Sequence, residues 1–229
     1  WLVYPFAKGF FFLTLDAADY FPKSIRQRGV VLDKPLDTSR IPERFTGERR
    51  QIVVAAGRLH EQKNFDLLIR AFARFYKTHH TYSLVIYGEG PEQNALMKTA
   101  SRLGIAGAVE LPGQSKTLLE DIHDCAMFVL SSDYEGMPNV LIEAMACGMS
   151  CIATDCPIGG VRSLITGGED GVLIPVGDER ALVRAMTTLA DDAALADSLG
   201  QKATQIRARL DETQVAAKWR HYLETIADR

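Results

Sequence analysis

The sequence has 229 residues, of which 47% are hydrophobic and 24% are charged, proportions that are ordinary for a globular protein with a sizeable core. They argue against intrinsic disorder. The formal net charge is −3, which gives no overall attraction to nucleic acid, so we expect no nucleic-acid partner. No apolar run reaches the roughly 18 residues that a membrane-spanning helix requires.

The first 50 residues differ in character from the rest. The chain begins with Trp1, and residues 1–13 are strongly apolar and aromatic. The run at 10–15 predicts a buried strand whose partners lie outside this sequence. We therefore expect a fragment of a longer protein, in which residues 1–50 are the tail of a missing N-terminal domain and an interdomain linker. Within this tail the patterns predict two strands, at 12–20 and 30–35, and then a polar linker.

From residue 51 to residue 229 the patterns indicate one complete domain, because short apolar runs alternate with helical spacing. Strands are predicted at 52–56, 83–87, 109–111, 127–130, 150–154 and 171–174. Helices are predicted at 65–76, 93–103, 117–124 and 140–146, followed by three helical stretches to the end of the chain. Strict alternation of strand and helix predicts an α/β fold, a Rossmann-like doubly wound parallel sheet. Such sheets bind ligands beyond the carboxyl ends of their strands.

Two loops at that edge of the predicted sheet contain charged residues or glycines. The first begins at Gly57 and places Arg58 and Lys63 just before a helix, an arrangement suited to a diphosphate. A solvated basic turn is the alternative. The second contains Gly88 and Gly90, which permit close backbone approach to a ligand, although an ordinary turn explains them as well.

The loop that follows the strand at 127–130 contains the strongest pattern. Glu135 lies on the loop, Pro138 at the first helical turn, and Glu143 one turn into the helix. Free backbone amides at 139–141 would point at a bound ligand. Taken singly, the two glutamates are explained as a loop carboxylate and a partner of the helix dipole. Taken together at this position they favour a binding site, and we expect them to line one pocket with Arg58 and Lys63.

Four blocks of this sequence resemble glycosyltransferase family 4 in their order and spacing. Glu135 and Glu143, with seven residues between them, resemble its E-x7-E motif, and the run EGMPNVLIEAMACG is nearly its consensus. GRLHEQKN at 57–64 resembles G-R-L-x-x-x-K-N, GEGP at 88–91 resembles the third block, and GVLIPVGD at 171–178 resembles the closing block. The resemblance covers residues from about 51 to about 190.

The resemblance implies the C-terminal, nucleotide-sugar-binding half of a retaining enzyme of the GT-B architecture. Arg58 and Lys63 are implied to bind the donor's diphosphate, Glu135 the transferred sugar, and Glu143 the ribose. The base is implied to lie against Leu111 to Gly113. Further donor contacts, mostly through backbone, are implied for Gly57, Gly88, Gly90, Gly136, Met137, Val140 and Leu141.

The resemblance also implies the chemistry of the whole enzyme. A sugar, most often from a UDP-sugar, passes with retention to a glycan or lipid-linked acceptor that the missing domain binds. No D-x-D motif is present, so we expect neither a metal ion nor another cofactor. The implied location is the cytoplasm, including the inner face of its membrane. We expect this fragment to bind UDP weakly and to transfer no sugar.

Two alternatives to a glycosyltransferase stay open. A nucleotide-sugar epimerase of the same architecture would convert a UDP-sugar without an acceptor, and a binding module would hold the donor without chemistry. One departure from the family pattern is Ser163, which stands where many members have Glu. The four cysteines lack the paired spacing of a zinc site, and we expect them to be buried free thiols.

Overall fold

A computed structural model describes residues 4–227, so the first three residues of the apolar segment and the last two of the chain lie outside it. Over this range a six-stranded parallel sheet forms the centre of the protein. Its strands are β3 (Arg50–Ala56), β4 (Ser83–Tyr87), β5 (Val109–Gly113), β6 (Cys125–Leu130), β7 (Ser150–Thr154) and β8 (Val172–Ile174). Two short strands, β1 (Phe10–Phe12) and β2 (Gly29–Val31), form a separate parallel pair.

The strand order in the central sheet is β5-β4-β3-β6-β7-β8. The chain therefore builds outward from β3 to one edge, returns to β6, and builds outward to the other edge. This is the order of a Rossmann-type sheet, and the crevice at its switch point lies between the carboxyl ends of β3 and β6. The doubly wound α/β fold predicted from the sequence is confirmed.

Helices cover both faces of this sheet, as parallel strands require. The helices near the N-terminus are α1 (Leu15–Asp19) and α2 (Lys23–Arg26), and those between the strands are α3 (Phe65–Phe75), α4 (Gln93–Arg102), α5 (Leu118–Ile122) and α6 (Asn139–Ala146). After β8 come α7 (Glu179–Asp191), α8 (Ala193–Ala203), α9 (Ile206–Arg209) and α10 (Glu212–Ala227).

Alternate residues of β3 face two separate apolar clusters. Val53 and Ala55 pack with α3, α4 and α7, whereas Val54 and Ala56 pack with α6 and α9. All four side chains are buried, which explains why the strand is apolar throughout. The two cores hold β3 and β6 rigidly, and so fix the loops that leave their carboxyl ends.

The N-terminal segment corrects the sequence analysis in two respects. The apolar run at 10–15 forms only a three-residue strand, which pairs with β2 inside this chain, and Phe11 is 52% exposed. The predicted strand at 12–20 is instead the end of β1 followed by α1. Thr14 is the N-cap of α1, and its hydroxyl accepts a hydrogen bond from Ala17 N. This bond stabilises the start of a helix where the sequence predicted that the strand would continue.

The last helix, α10, packs against this N-terminal segment. The Tyr222 hydroxyl accepts a hydrogen bond from Phe10 N and lies 2.7 Å from Phe10 O and 2.8 Å from Arg28 O. The Trp219 ring contacts Phe11, with ring centroids 4.5 Å apart. Leu223 of the same helix is 53% exposed, whereas the two aromatic side chains are engaged in these contacts. No helix of the described residues is both long enough and apolar enough to cross a bilayer.

Candidate functional site

An ion pair joins the two loops that flank the switch point. Lys63 Nζ lies 2.5 Å from Glu135 Oε1, and the side chains are 16% and 9% exposed. Lys63 ends a single 3-10 turn after β3, and Asn64, in the left-handed region at φ 46°, turns the chain into α3 and caps it by accepting from Leu67 N. Lys63, predicted to lie before a helix, and Glu135, predicted to lie on the loop after β6, are thus brought together by the fold.

Hydrogen bonds hold these loops in register. The Ser131 hydroxyl donates to Lys63 O over 2.8 Å, and Asp133 N donates to Gln62 O over 2.9 Å. Asn64 Nδ2 donates to Asp133 Oδ1 over 2.7 Å. Because these bonds cross between the loops, the backbone at Lys63 is fixed relative to the loop that carries Glu135.

Ser132 is a site residue that the sequence analysis missed. Its side chain is fully buried and its hydroxyl donates to Glu135 Oε1 over 2.8 Å. Its carbonyl oxygen accepts from the Thr154 hydroxyl at 2.5 Å and from Cys156 Sγ at 3.1 Å. The only signal in the sequence is its position three residues before Glu135, and that signal does not reveal the bond to the carboxylate.

Arg58 lies beside a cavity of about 320 Å³ at the carboxyl ends of β3 and β4. The side chain is exposed, and no carboxylate of the described residues pairs with it. The cavity volume is at the lower end of the range for small-molecule sites, roughly 300–1,000 Å³. Its lining consists of Ala56, Gly57, Arg58, Tyr87, Gly88, Glu89, Gln114, Ser115, Leu118 and Val140.

The glycines after β4 pack against the neighbouring loop. A Cβ on Gly88 would lie 1.9 Å from Gly57 O, and one on Gly90 would lie 2.3 Å from Leu59 O. Leu59 N also donates to Glu89 O over 2.8 Å. Both glycines therefore permit close contact between the loops after β3 and β4, and Gly88 also borders the cavity beside Arg58.

Three residues predicted to contact the base or the phosphates also make other contacts in the structure. Leu111 packs against the apolar core instead of lining the cavity beside Arg58, where Gln114 and Leu118 are found. Gly113 ends β5, and its carbonyl accepts from Gly88 N over 2.8 Å. The amide of Leu141, predicted to be free, donates to Pro138 O over 3.2 Å because Pro138 is the N-cap of α6 and not its first helical residue.

Three further residues predicted to bind the donor lie near the start of α6. Gly136 is exposed, and its carbonyl oxygen lies so close to Gly160 that a Cβ there would come within 1.2 Å. Met137 is buried against the core, so only its backbone can serve the site. Val140 is half-buried and borders the cavity beside Arg58.

Glu143 lines a different cavity, of about 270 Å³, between α6 and the segment that follows β2. Lys34 lines the same cavity, and its Nζ donates to Asn139 Oδ1 over 2.6 Å. Burial raises the pKa of the Glu143 carboxyl, and the nearby Lys34 cation opposes that rise. The expectation that all four charged residues line one pocket is therefore wrong, because Glu143 and Arg58 border separate cavities on either side of the α6 N-terminus.

Ser163 and the four cysteines are the remaining residues that the sequence singled out. The Ser163 hydroxyl donates to Gly160 O over 2.8 Å and so stabilises its own loop. All four cysteines are free and buried, as predicted. Burial raises the pKa of the Cys125 thiol to about 11 and that of Cys147 to about 12. No three His, Cys, Asp or Glu side chains among residues 4–227 are grouped closely enough to hold a metal ion.

The described chain is thus a doubly wound α/β protein with an ion pair at its switch point, and with an exposed arginine and a cavity at the carboxyl ends of β3 and β4. The family model for glycosyl transferases group 1 matches residues 38–206. The chain belongs to this family. Its sheet and helices are those of a GT-B glycosyltransferase domain.

Two curated bacterial proteins are similar to the chain in sequence. An exopolysaccharide phosphotransferase of Streptomyces coelicolor is 33% identical over 193 residues, which is 82% of this chain and 20% of that protein. An α-N-acetylgalactosaminyltransferase of Campylobacter jejuni, named for an undecaprenol diphosphate-linked acceptor, is 32% identical over 173 residues, 76% of this chain and 46% of that protein. The chain thus spans less than half of either relative.

Solved structures share the fold at lower identity. Anabaena HepE in complex with UDP superposes with a TM-score of 0.88 at 19% identity, covering 98% of this chain and 65% of that one. Staphylococcus aureus TarM, in a complex that contains UDP, gives 0.86 at 22% identity, covering 96% of this chain and 44% of that one.

Proposed function

We propose that this chain binds a nucleoside-diphosphate sugar, with UDP as the nucleotide, at the carboxyl ends of β3 and β6. The observation that carries the proposal is the Lys63–Glu135 pair, which sets a cation and a carboxylate side by side at the switch point. A diphosphate needs the cation, and a sugar hydroxyl is bound well by the carboxylate. The solved structures of HepE and TarM that share the fold contain UDP, which supports this choice of nucleotide.

In this proposal Arg58 and Lys63 bind the diphosphate and stabilise the charge that develops on it as the sugar leaves. Glu135 binds the transferred sugar, and Glu143 binds the ribose from its own cavity. The two cavities border adjacent residues at the start of α6, Val140 and Asn139, and in this proposal the donor extends from one cavity to the other. Gln114, Ser115 and Leu118 then border the space for the base, in place of Leu111.

The reaction we propose for the complete protein is retaining transfer without a metal ion, in the manner of glycosyltransferase family 4. The acceptor is a glycan or a lipid-linked glycan, which would be met in the cytoplasm at the inner face of the membrane. The undecaprenol-linked acceptor and the α linkage in the name of the Campylobacter relative support this choice. This chain by itself is expected to bind donor and transfer nothing.

Calorimetric titration of the chain with UDP, UDP-glucose, UDP-N-acetylglucosamine and UDP-N-acetylgalactosamine tests the proposal. Lys63→Ala should weaken UDP binding at least tenfold, because it removes a partly buried cation that contacts the diphosphate in this proposal. In the complete enzyme the same change should lower the rate of transfer roughly 10²–10³-fold, as the loss of one oxyanion donor does. Lys77→Ala removes an exposed lysine just after the end of α3 and serves as the matched control.

Equal UDP affinity in Lys63→Ala and Lys77→Ala would remove the diphosphate assignment. Thermal unfolding of both variants is measured alongside, since Lys63→Ala also leaves the buried Glu135 carboxylate without its cation. Incubation of the complete enzyme with each UDP-sugar and no acceptor separates the epimerase alternative, which would change the sugar's stereochemistry.

A further inference from the structure

Both hydrogen bonds to the Glu135 carboxylate go to the same oxygen. Lys63 Nζ lies 2.5 Å and Ser132 Oγ 2.8 Å from Oε1, and no donor of the described residues is bonded to Oε2. We infer that Ser132 is a positioning residue that fixes Glu135 by Oε1 and keeps Oε2 available for a hydroxyl of the transferred sugar. The inference rests on the proposed function, because it assigns a new residue to the same site.

Ser132 is itself held in place by the strand next to its own. Its side chain is fully buried, and its carbonyl accepts from the hydroxyl of Thr154, the last residue of β7. Cys156 Sγ donates to the same carbonyl. A serine hydroxyl has one proton, and donation to Glu135 uses it, so the hydroxyl has a single orientation. Thr154, Ser132 and Glu135 therefore form a connected chain from the rigid sheet to the carboxylate.

The two donors to Oε1 differ in what a ligand does to them. Lys63 is a flexible cation that a diphosphate attracts, so a bound donor competes with Glu135 for its ammonium group. Ser132 is neutral and buried, and a diphosphate exerts no such pull on it. When the donor is bound, Ser132 is thus the contact that continues to hold the carboxylate. Its loss should affect ligands that contain the sugar and spare UDP itself.

The test compares two affinities, for UDP and for whichever of UDP-glucose, UDP-N-acetylglucosamine and UDP-N-acetylgalactosamine the unmodified chain prefers. We expect Ser132→Ala to leave the UDP affinity unchanged and to weaken UDP-sugar binding about tenfold, which is ~1.4 kcal/mol at 25 °C. Glu135→Ala should show the same selective loss. Ser150→Ala is the matched control, since Ser150 is also a buried serine whose hydroxyl donates 2.9 Å to a backbone carbonyl away from the site.

The proposed function and the inference about Ser132 are contradicted by different results. An unmodified chain that binds neither UDP nor any UDP-sugar removes the proposed function. If the unmodified chain binds both and Ser132→Ala keeps the same ratio of affinities, the inference is overturned. A parallel loss of both affinities in Ser132→Ala would also overturn it, because a general disturbance of the loop would then explain the effect. Should Ser132→Ala fail to fold, Ser132→Cys keeps the volume with a weaker donor, and the same two outcomes apply.

Discussion

Burial and a nearby lysine act on the charge of Glu143 in opposite directions, and burial has the larger effect. Burial raises the pKa of this carboxyl, and Lys34 opposes the rise from the segment after β2. The cation lies at the cavity that Glu143 also lines, where it donates to Asn139. A carboxylate kept ionised in a partly buried position costs stability, and such a cost is commonly retained at ligand-binding positions.

Glu143→Gln should therefore raise the melting temperature at pH 7 relative to the unmodified chain. The folded pKa lies above the unfolded value, so protonated Glu143 favours the fold, and this contribution is lost as the pH rises through the folded pKa. The advantage of the glutamine variant should therefore shrink as the pH falls through the folded pKa of Glu143, and it should be absent below about 4.3, the ordinary pKa of glutamate. Thermal unfolding of both proteins at pH 4 and pH 7 measures this.

In the proposed site the same substitution should weaken UDP binding, because glutamine binds a ribose diol less well than a carboxylate does. A variant that is more stable and binds UDP less tightly is the expected combination. A lower melting temperature at pH 7 would show instead that the Lys34 charge outweighs the burial of Glu143.

At the scale of elements, the loop after β7 is packed tightly on the loop after β6. A Cβ on Gly160 would lie 1.2 Å from Gly136 O, so no side chain fits without moving one of the loops. The Thr14 hydroxyl, at the start of α1, donates 2.6 Å to Ile158 O in the same loop. Ile158 has φ 76°, which is unfavourable for a β-branched residue. The loop that carries Glu135 is thus supported from its outer side as well.

Gly160→Ala should lower the free energy of unfolding by about 1–3 kcal/mol, as overpacking does, and should weaken UDP-sugar binding because the Glu135 loop is displaced. Gly107→Ala is the control, since its Cβ would meet no atom within 4 Å. Urea unfolding and titration of the two variants provide both readouts. Equal stability of the two would contradict the close packing of these loops.

The sheet was predictable from sequence because buried parallel strands are apolar on both faces, and β3 to β8 all lie where the apolar runs indicate. The segment at 12–20 was mispredicted as a strand because a short apolar run has no periodicity that separates strand from helix. Whether this segment forms a strand or a helix depends on the hydrogen bond by which Thr14 caps α1.

Within the site, Lys63 and Glu135 were predictable because strand ends in a parallel sheet meet at one edge. The bond from Ser132 to Glu135 and the separate cavity of Glu143 were not, since both depend on side-chain directions set by packing with β7 and with the segment after β2.

At the scale of the whole molecule, the N-terminal segment, the start of α6 and the last helix are connected. Tyr222 and Trp219 of α10 hold the segment around β1 and β2, with Trp219 Nε1 donating 3.1 Å to Asp33 O. The adjacent residue, Lys34, reaches the start of α6. Trp219, Asp33 and Lys34 thus connect the last helix to the cavity that Glu143 lines.

The most direct test of the account is a crystal structure of the chain with UDP. We predict the diphosphate between the carboxyl ends of β3 and β6, with its oxygens within about 3 Å of the Arg58 guanidinium and the Lys63 ammonium group. UDP bound in any other part of the molecule, with Lys63 still paired to Glu135 and Arg58 exposed, would contradict the central claim.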